Sequence, residues 1–133
     1  MNPDRDKCGL IWCSPVIPMT GDAAMEILQI ASPVFDKYGF EMTISMTMIT
    51  QRAIDCVIAI SYDKSDPADT QRALGCYEEL LRANVEAGYI PYRLGIQSME
   101  YMIQKEDVFW DVVRDIKKVL DPKGILSPGR YCR

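Results

Sequence analysis

The chain has 133 residues, 48% hydrophobic and 26% charged, the mix of one globular domain able to bury a core without staples. A net charge of -4 with scattered basic residues excludes a nucleic-acid backbone as partner, because that needs clustered positive charge. The absence of histidine excludes mixed Cys/His zinc sites and Ser-His or Cys-His catalysis within the chain.

Five cysteines (Cys8, Cys13, Cys56, Cys76 and Cys132) show no CxxC and no repeated spacing. Most of them read as small apolar fillers in a reducing compartment. No run reaches transmembrane length and the N-terminus lacks a signal-peptide pattern, so the expectation is a cytoplasmic protein with no membrane partner.

Residues 8–16 predict a first strand, with Leu10, Ile11, Trp12 and Val16 supplying apolar content and Pro15 and Pro18 closing it. Thr20-Gly21-Asp22 opens a helix, with Thr20 or Asp22 as cap. Its stripe is Ala24, Ile27, Leu28, Ala31, Val34, Phe35 and Tyr38, and Gly39 ends it. Pro33 inside that stripe predicts a kink. Residues 41–48 alternate Met42, Ile44, Met46 and Met48 with Thr43, Ser45 and Thr47, the period of a strand. Residues 53–62 make a second, almost wholly apolar strand that pairs with it as a hairpin. Asp55 is the exception, a charge that either faces a pocket or marks an exposed strand start.

Asp66-Pro67-Ala68-Asp69 starts a second helix, with a stripe of Ala73, Leu74, Tyr77, Leu80, Leu81 and Asn84 ending at Gly88. Residues 89–96 read as a last strand. Ser98 caps a short turn or helix through Ile103, and Glu106-Asp107 opens a final helix with the stripe Phe109, Val112, Val113, Ile116, Val119 and Leu120. Pro122 and Gly124 stop that helix, and two prolines and two glycines stiffen the tail that ends near Arg130. The order β-α-β-β-α-β predicts an α+β, ferredoxin-like fold: an antiparallel sheet with helices on one face, plus a C-terminal helix and an extended tail. The bare sheet face needs a cover, whether the last helix, another domain or a second copy in a homo-oligomer.

The stretch Tyr92-Arg93 sets a phenol beside a five-donor guanidinium, which suits a small anion such as a phenolate or a reduced flavin. The two side chains point to opposite faces of a regular strand, and a bend at Gly95 or an edge position at Pro91 brings both to one site. On the residues alone, a half-buried tyrosine and a surface arginine are the favoured reading. No glycine-rich phosphate loop is present.

The segments "GLIWCSP", "KYGF", "VIAISYD", "EAGYIPYRLG" and above all the tail "LDPKGILSPGRY" resemble FAD-linked oxidases of the vanillyl-alcohol oxidase and p-cresol methylhydroxylase family, over nearly the whole chain. The resemblance implies a ferredoxin-like cap (substrate) domain over residues 1–104 and a C-terminal helix and FAD-side tail over 105–133. It implies that Tyr92 binds the phenolic oxygen of a para-substituted phenol, that Arg93 sits by the flavin or phenolate, and that Arg130 adds a cation at the substrate oxygen. It makes these three the catalytic residues, with Arg93 and Arg130 also on the cofactor. Met46 and Trp12 would help wall the aromatic pocket, and core packing is the competing role for each. The family's FAD pyrophosphate-binding domain has no counterpart among these residues, so the resemblance implies an N-terminal FAD-binding domain or subunit as partner. The alternative is a stand-alone ferredoxin-like ligand-binding or dimerisation module without catalysis.

Overall fold

The computed structural model describes residues 2, 4–103 and 108–131. Its order is β1 (Cys8–Cys13), β2 (Val16–Pro18), α1 (Gly21–Tyr38), β3 (Thr43–Thr50), β4 (Ala53–Asp63), α2 (Pro67–Glu86), α3 (Ile96–Ile103) and α4 (Val108–Leu120). The chain forms two compact units, Met1–Tyr92 and Arg93–Arg133. The sheet and the helices α1 and α2 make the first; α3, α4 and the tail make the second.

In the first unit β4 is the central strand, antiparallel to β3 on one side and to β1 and β2 on the other. The single strand expected over 8–16 is therefore two pieces. Cys13 lies opposite Ile58 and Val16 opposite Asp55, so the register runs through the break without a slip. Pro15 causes the break. Its carbonyl accepts from the Cys56 N–H at 3.0 Å, but it has no N–H to return.

Pro15 also curtails the strand expected over 89–96. Pro91 faces Pro15 across the outer edge in an isolated antiparallel bridge. Val16 N–H donates to Ile90 O at 3.1 Å and Tyr92 N–H to Ser14 O at 3.2 Å, and the ladder stops there. Two facing prolines offer no donor between those bonds. The ferredoxin-like α+β plan holds, with its last strand reduced to a bridge.

Side chains alternate, and residues directly opposite share a face. Cys13, Pro15, Ile17, Cys56, Ile58 and Ile60 point into the core, buried under α1 and α2. Those helices bring Ile27, Ala31 and Phe35, and Ala73, Cys76 and Leu80. Asn84 joins this core, its amide donating to Leu80 O at 2.8 Å. The caps follow the sequence: Thr20 accepts from Ala23 N–H at 3.3 Å, Asp66 accepts from Ala68 N–H at 2.8 Å with Pro67 following, and Gly39 takes the left-handed conformation at φ 65°. Pro33 does not end α1, which is continuous to Tyr38. Glu79 braces the helices by accepting from Lys37 Nζ at 2.6 Å and the Tyr38 hydroxyl at 3.0 Å.

The second unit has a different logic. The opening expected at Glu106-Asp107 lies outside the described residues. The stripe of α4 is not a core face: Phe109, Val112, Ile116, Val119 and Leu120 are all more than half exposed. What holds the unit is the tail. Asp121, only 6% exposed, accepts from Ile125 N–H at 3.1 Å, from Leu126 N–H at 2.8 Å, and from Lys117 Nζ. Lys117 also donates to Leu126 O at 2.5 Å, so one ion pair clips the turn after α4. The segment Ser127-Pro128-Gly129-Arg130 closes with Arg130 N–H donating to Ser127 O at 3.1 Å; Pro128 followed by Gly129 at φ 77° is a type II turn. Tyr131 then anchors the end. Its hydroxyl accepts from Leu94 N–H at 3.4 Å, its own N–H meets Met99 Sδ at 3.2 Å, and its ring stacks on Trp110 with centroids 6.3 Å apart.

Two predictions follow from this packing. A Cβ on Gly9 would stand 2.3 Å from the Tyr62 ring across the ladder. Gly9→Ala is expected to cost about 1–3 kcal/mol, and less in a Tyr62→Ala background, by denaturant unfolding of the four-member cycle. Asp121 is held below the usual carboxylate value by its bond from Lys117, then by the two backbone amides. A lowered folded pKa makes this contribution present above the unfolded value, 3.8, and lost as pH falls through the folded one. The Trp110 fluorescence of a Trp12→Phe chain should therefore report loosening of the tail only below about pH 4. Asp121→Asn should remove that acid step.

Candidate functional site

The residues singled out from sequence divide between the units. In the first, the face of the sheet opposite the helices is organised in rows across the strands. Leu10 lies opposite Ser61; Trp12 shares a row with Ala59 and Thr43; Ser14 shares one with Val57 and Ser45; Val16 shares one with Asp55 and Thr47. The intervening pair Ser14 and Val57 follows from the unbroken register. Tyr92 extends the Ser14 row, because the Pro15–Pro91 bridge sets Tyr92 opposite Ser14. Trp12 and Tyr92, 61% and 58% exposed, thus stand on one face.

Met46 does not join them. It lies opposite Cys56, which points into the helix-covered core, so Met46 is on the other side of the sheet from Trp12. At 39% exposure it sits where the β3–β4 hairpin begins to outrun the helices. These two expected pocket walls cannot line one pocket within this unit. The alternation expected for β3 holds, but its apolar face is the helix side and its hydroxyl face looks the way Trp12 does.

Asp55 is the group on this face whose role the sequence left divided. Its residue is half-buried, its Oδ1 is sealed from solvent, and that oxygen has no hydrogen-bond partner. Loss of hydration pushes its carboxyl above the usual value. The three buried thiols, Cys13, Cys56 and Cys76, are not nucleophile candidates. Burial pushes Cys13 up to about 12 and Cys56 and Cys76 up to about 11, so they remain protonated fillers, as expected.

In the second unit Arg93 and Arg130 are each one residue from an end of the same hydrogen bond, that between Leu94 N–H and the Tyr131 hydroxyl. The type II turn and the Tyr131 anchor tie the tail that carries Arg130 to the backbone beside Arg93, across 37 residues of sequence. The residues that build this, Lys117, Asp121 and Tyr131, carried no site role in the sequence reading. The i, i+4 spacing of Lys117 and Asp121 was the visible signal. The same unit carries an open cleft of about 580 Å³ between α3, α4 and the tail, lined in part by Met99, Ile103, Arg114, Lys117 and Lys118. Arg93 and Arg130 do not line it. No group of three or more Cys, Asp or Glu among the described residues is placed to hold a metal, and no described helix is long and apolar enough to cross a membrane.

The guanidinium residue types at Arg93 and Arg130 suit the electron-rich ring end of a flavin or a phenolate, for both are anions that a donor fork stabilises. Nothing comparable exists here for a pyrophosphate, which needs a glycine-rich loop at a helix N-terminus. The described residues thus fit one end of FAD and not the other.

The relatives agree with that division. Residues 31–131 match the model for the FAD linked oxidases, C-terminal domain. Over 130 residues the chain is 39% identical to 1'-carboxy-chondrochloren decarboxylase of Chondromyces crocatus, covering 98% of this chain and 24% of that protein. Over 127 residues it is 31% identical to the 4-cresol dehydrogenase (hydroxylating) flavoprotein subunit of Pseudomonas putida, covering 95% and 24%. Among solved structures it superposes on substrate-bound p-cresol methylhydroxylase with a TM-score of 0.85 at 31% identity, covering 92% of this chain and 24% of that one. It superposes on the isoeugenol complex of 4-ethylphenol oxidase from Gulosibacter chungangensis with a TM-score of 0.84 at 28% identity, covering 95% and 25%. The chain thus spans about a quarter of the length of the relatives it matches. In fold, in tail and over most of its length, it belongs to the FAD-linked oxidases and carries their C-terminal domain.

Proposed function

We propose that this chain supplies the substrate side of an FAD-dependent oxidoreductase acting on para-substituted phenols. The observation that supports the reading is the match of residues 31–131 to the FAD linked oxidases, C-terminal domain, with the tail that carries Arg130 tied by Tyr131 to the backbone beside Arg93. Cations that meet the phenolic oxygen stabilise the charge of a phenolate. In this reading the Tyr92 hydroxyl hydrogen-bonds the phenolic oxygen, and the two guanidiniums stabilise the charge that oxygen gains when its proton leaves. An ionised phenol releases hydride from its para side chain more easily, because the ring's electrons move toward that carbon. FAD, when bound, supplies the hydride acceptor. Residues 1–104 form the cap over the substrate, and residues 105–133 the arm on the flavin side. Trp12 contributes to the wall on the face it shares with Tyr92; Met46 contributes only from the opposite face.

A second reading keeps the site and changes the outcome. The relative at 39% identity is named a decarboxylase, which favours a substrate whose para side chain carries a carboxyl group lost as carbon dioxide. Product analysis with a para-carboxymethyl phenol separates the two.

Co-expression with a flavin-bearing partner is the direct test. The purified complex should be yellow and should bleach on adding a para-alkyl phenol. A colourless, stable homodimer under all conditions would move the assignment to a binding module. In the complex, Arg93→Ala or Arg130→Ala should lower kcat by about 100- to 1,000-fold, the scale for one lost transition-state donor, while the melting temperature changes little. Equal loss of fold and turnover would count against a site role.

A further inference from the structure

The sheet of the first unit has two outer edges, and they are guarded unequally. On one, Pro15 and Pro18 interrupt the run of donors, and Ile90 and Tyr92 take up the bonds of Val16 and Ser14. Proline on an edge removes the N–H groups that a further strand would need. The other edge is β3, whose only strand neighbour among the described residues is β4. Its eight residues, Thr43–Thr50, include no charge, no proline and no glycine, and all but Ile44 are exposed. An irregularity between Met48 and Thr50 leaves Thr43–Met48 as the regular stretch. A long, uncharged edge is a template for another strand.

The stretch is also complementary to itself. Ile44, Met46 and Met48 lie opposite Ile58, Cys56 and Ile54 on the helix side, and Thr43, Ser45 and Thr47 face the other way. An antiparallel second copy with its Met46 opposite Met46 sets Ile44 against its Met48 and Ser45 against its Thr47. Apolar then meets apolar on one face and hydroxyl meets hydroxyl on the other. A slip of one residue would set the methionines against hydroxyls. The flanking charges agree, because antiparallel pairing brings Glu41, before β3, to the end where the second copy's Arg52 follows its β3. Met46 and Met48, 39% and 75% exposed where the hairpin outruns the helices, gain cover from the same row of the copy. We infer that β3 is an assembly edge: two copies of this chain join antiparallel along it, about a two-fold axis at Met46, and their four-stranded sheets become continuous. The pairing uses up the edge on both copies, so it closes at a dimer. The inference does not depend on the phenol-oxidising reading, which the colour of the flavin-bearing complex tests separately.

Cross-linking reads the register directly. In a Cys8→Ser, Cys132→Ser background, Met46→Cys should give a disulfide-linked dimer with copper phenanthroline, because the axis sets the two sulfurs face to face. Met48→Cys should link about tenfold more slowly, since its two sulfurs would lie about 13 Å apart. Sedimentation of the unsubstituted chain should show a monomer–dimer equilibrium in the micromolar range, as suits a small interface, and Met48→Lys should weaken it about tenfold with an unchanged circular dichroism spectrum. A monomer at every concentration, or equal linking at both positions, overturns the inference. A dimer abolished by Ile116→Lys and untouched by Met48→Lys places the contact on α4 and overturns it too. Loss of the Met46→Cys link in the flavin-bearing complex does the same, because the edge then belongs to a strand of that partner.

Discussion

The ladder along β4 is the constraint on which the rest depends. Because one register runs from Cys8 opposite Asp63 to Pro18 opposite Ala53, every side chain along those strands is assigned to one of two faces by position alone. That assignment sends Cys56, Ile58 and Ile60 into the core. The same alternation puts Trp12, Asp55 and Tyr92 together and leaves Met46 apart. A slip of one residue would exchange the two sets, exposing the core isoleucines and burying the carboxyl. The core beneath α1 and α2 is therefore what holds the opposite face in order.

Much of this plan was legible in the sequence because it rests on local chemistry. Thr20, Asp66 with Pro67, and Gly39 act as caps whatever the tertiary context, so the helix limits were readable. The alternation of Met42 to Met48 named a strand, but period two says nothing about which face meets the helices. That depends on pairing with β4, a long-range fact, and so Met46 and Trp12 could be grouped wrongly. The last strand failed for a related reason. Tyr89 to Ile96 has strand composition, but whether Pro91 costs a bond depends on what lies opposite, and what lies opposite is another proline. Pro33 shows the converse: a helix breaker by propensity is carried through on the exposed side of a helix whose other face is packed, with Ala31, Val34 and Phe35 buried.

The second unit was legible as a stiff arm and not as a construction. Its prolines and glycines announced turns, and the Pro128-Gly129 pair announced a specific one. The roles of Lys117 and Asp121 were hidden because charges at a helix end are usually solvated. Here the carboxylate is buried by the turn it organises, and it satisfies two backbone amides as well as a cation. Arg93 and Arg130 were singled out by family resemblance, and the structure adds the means by which such distant positions share one anchor.

The bared stripe of α4 has a consequence for the behaviour of this chain in solution. Phe109, Val112, Ile116, Val119 and Leu120 form a contiguous apolar ridge of the kind that brings molecules together wherever two such ridges meet. Only the long-range repulsion of a small negative charge opposes that. Salt shortens the reach of that repulsion, and strongly hydrated anions such as sulfate deepen the apolar attraction. The protein's colloidal lifetime is thus set less by how firmly it folds than by ionic strength, and a dilute, low-salt buffer is its natural medium.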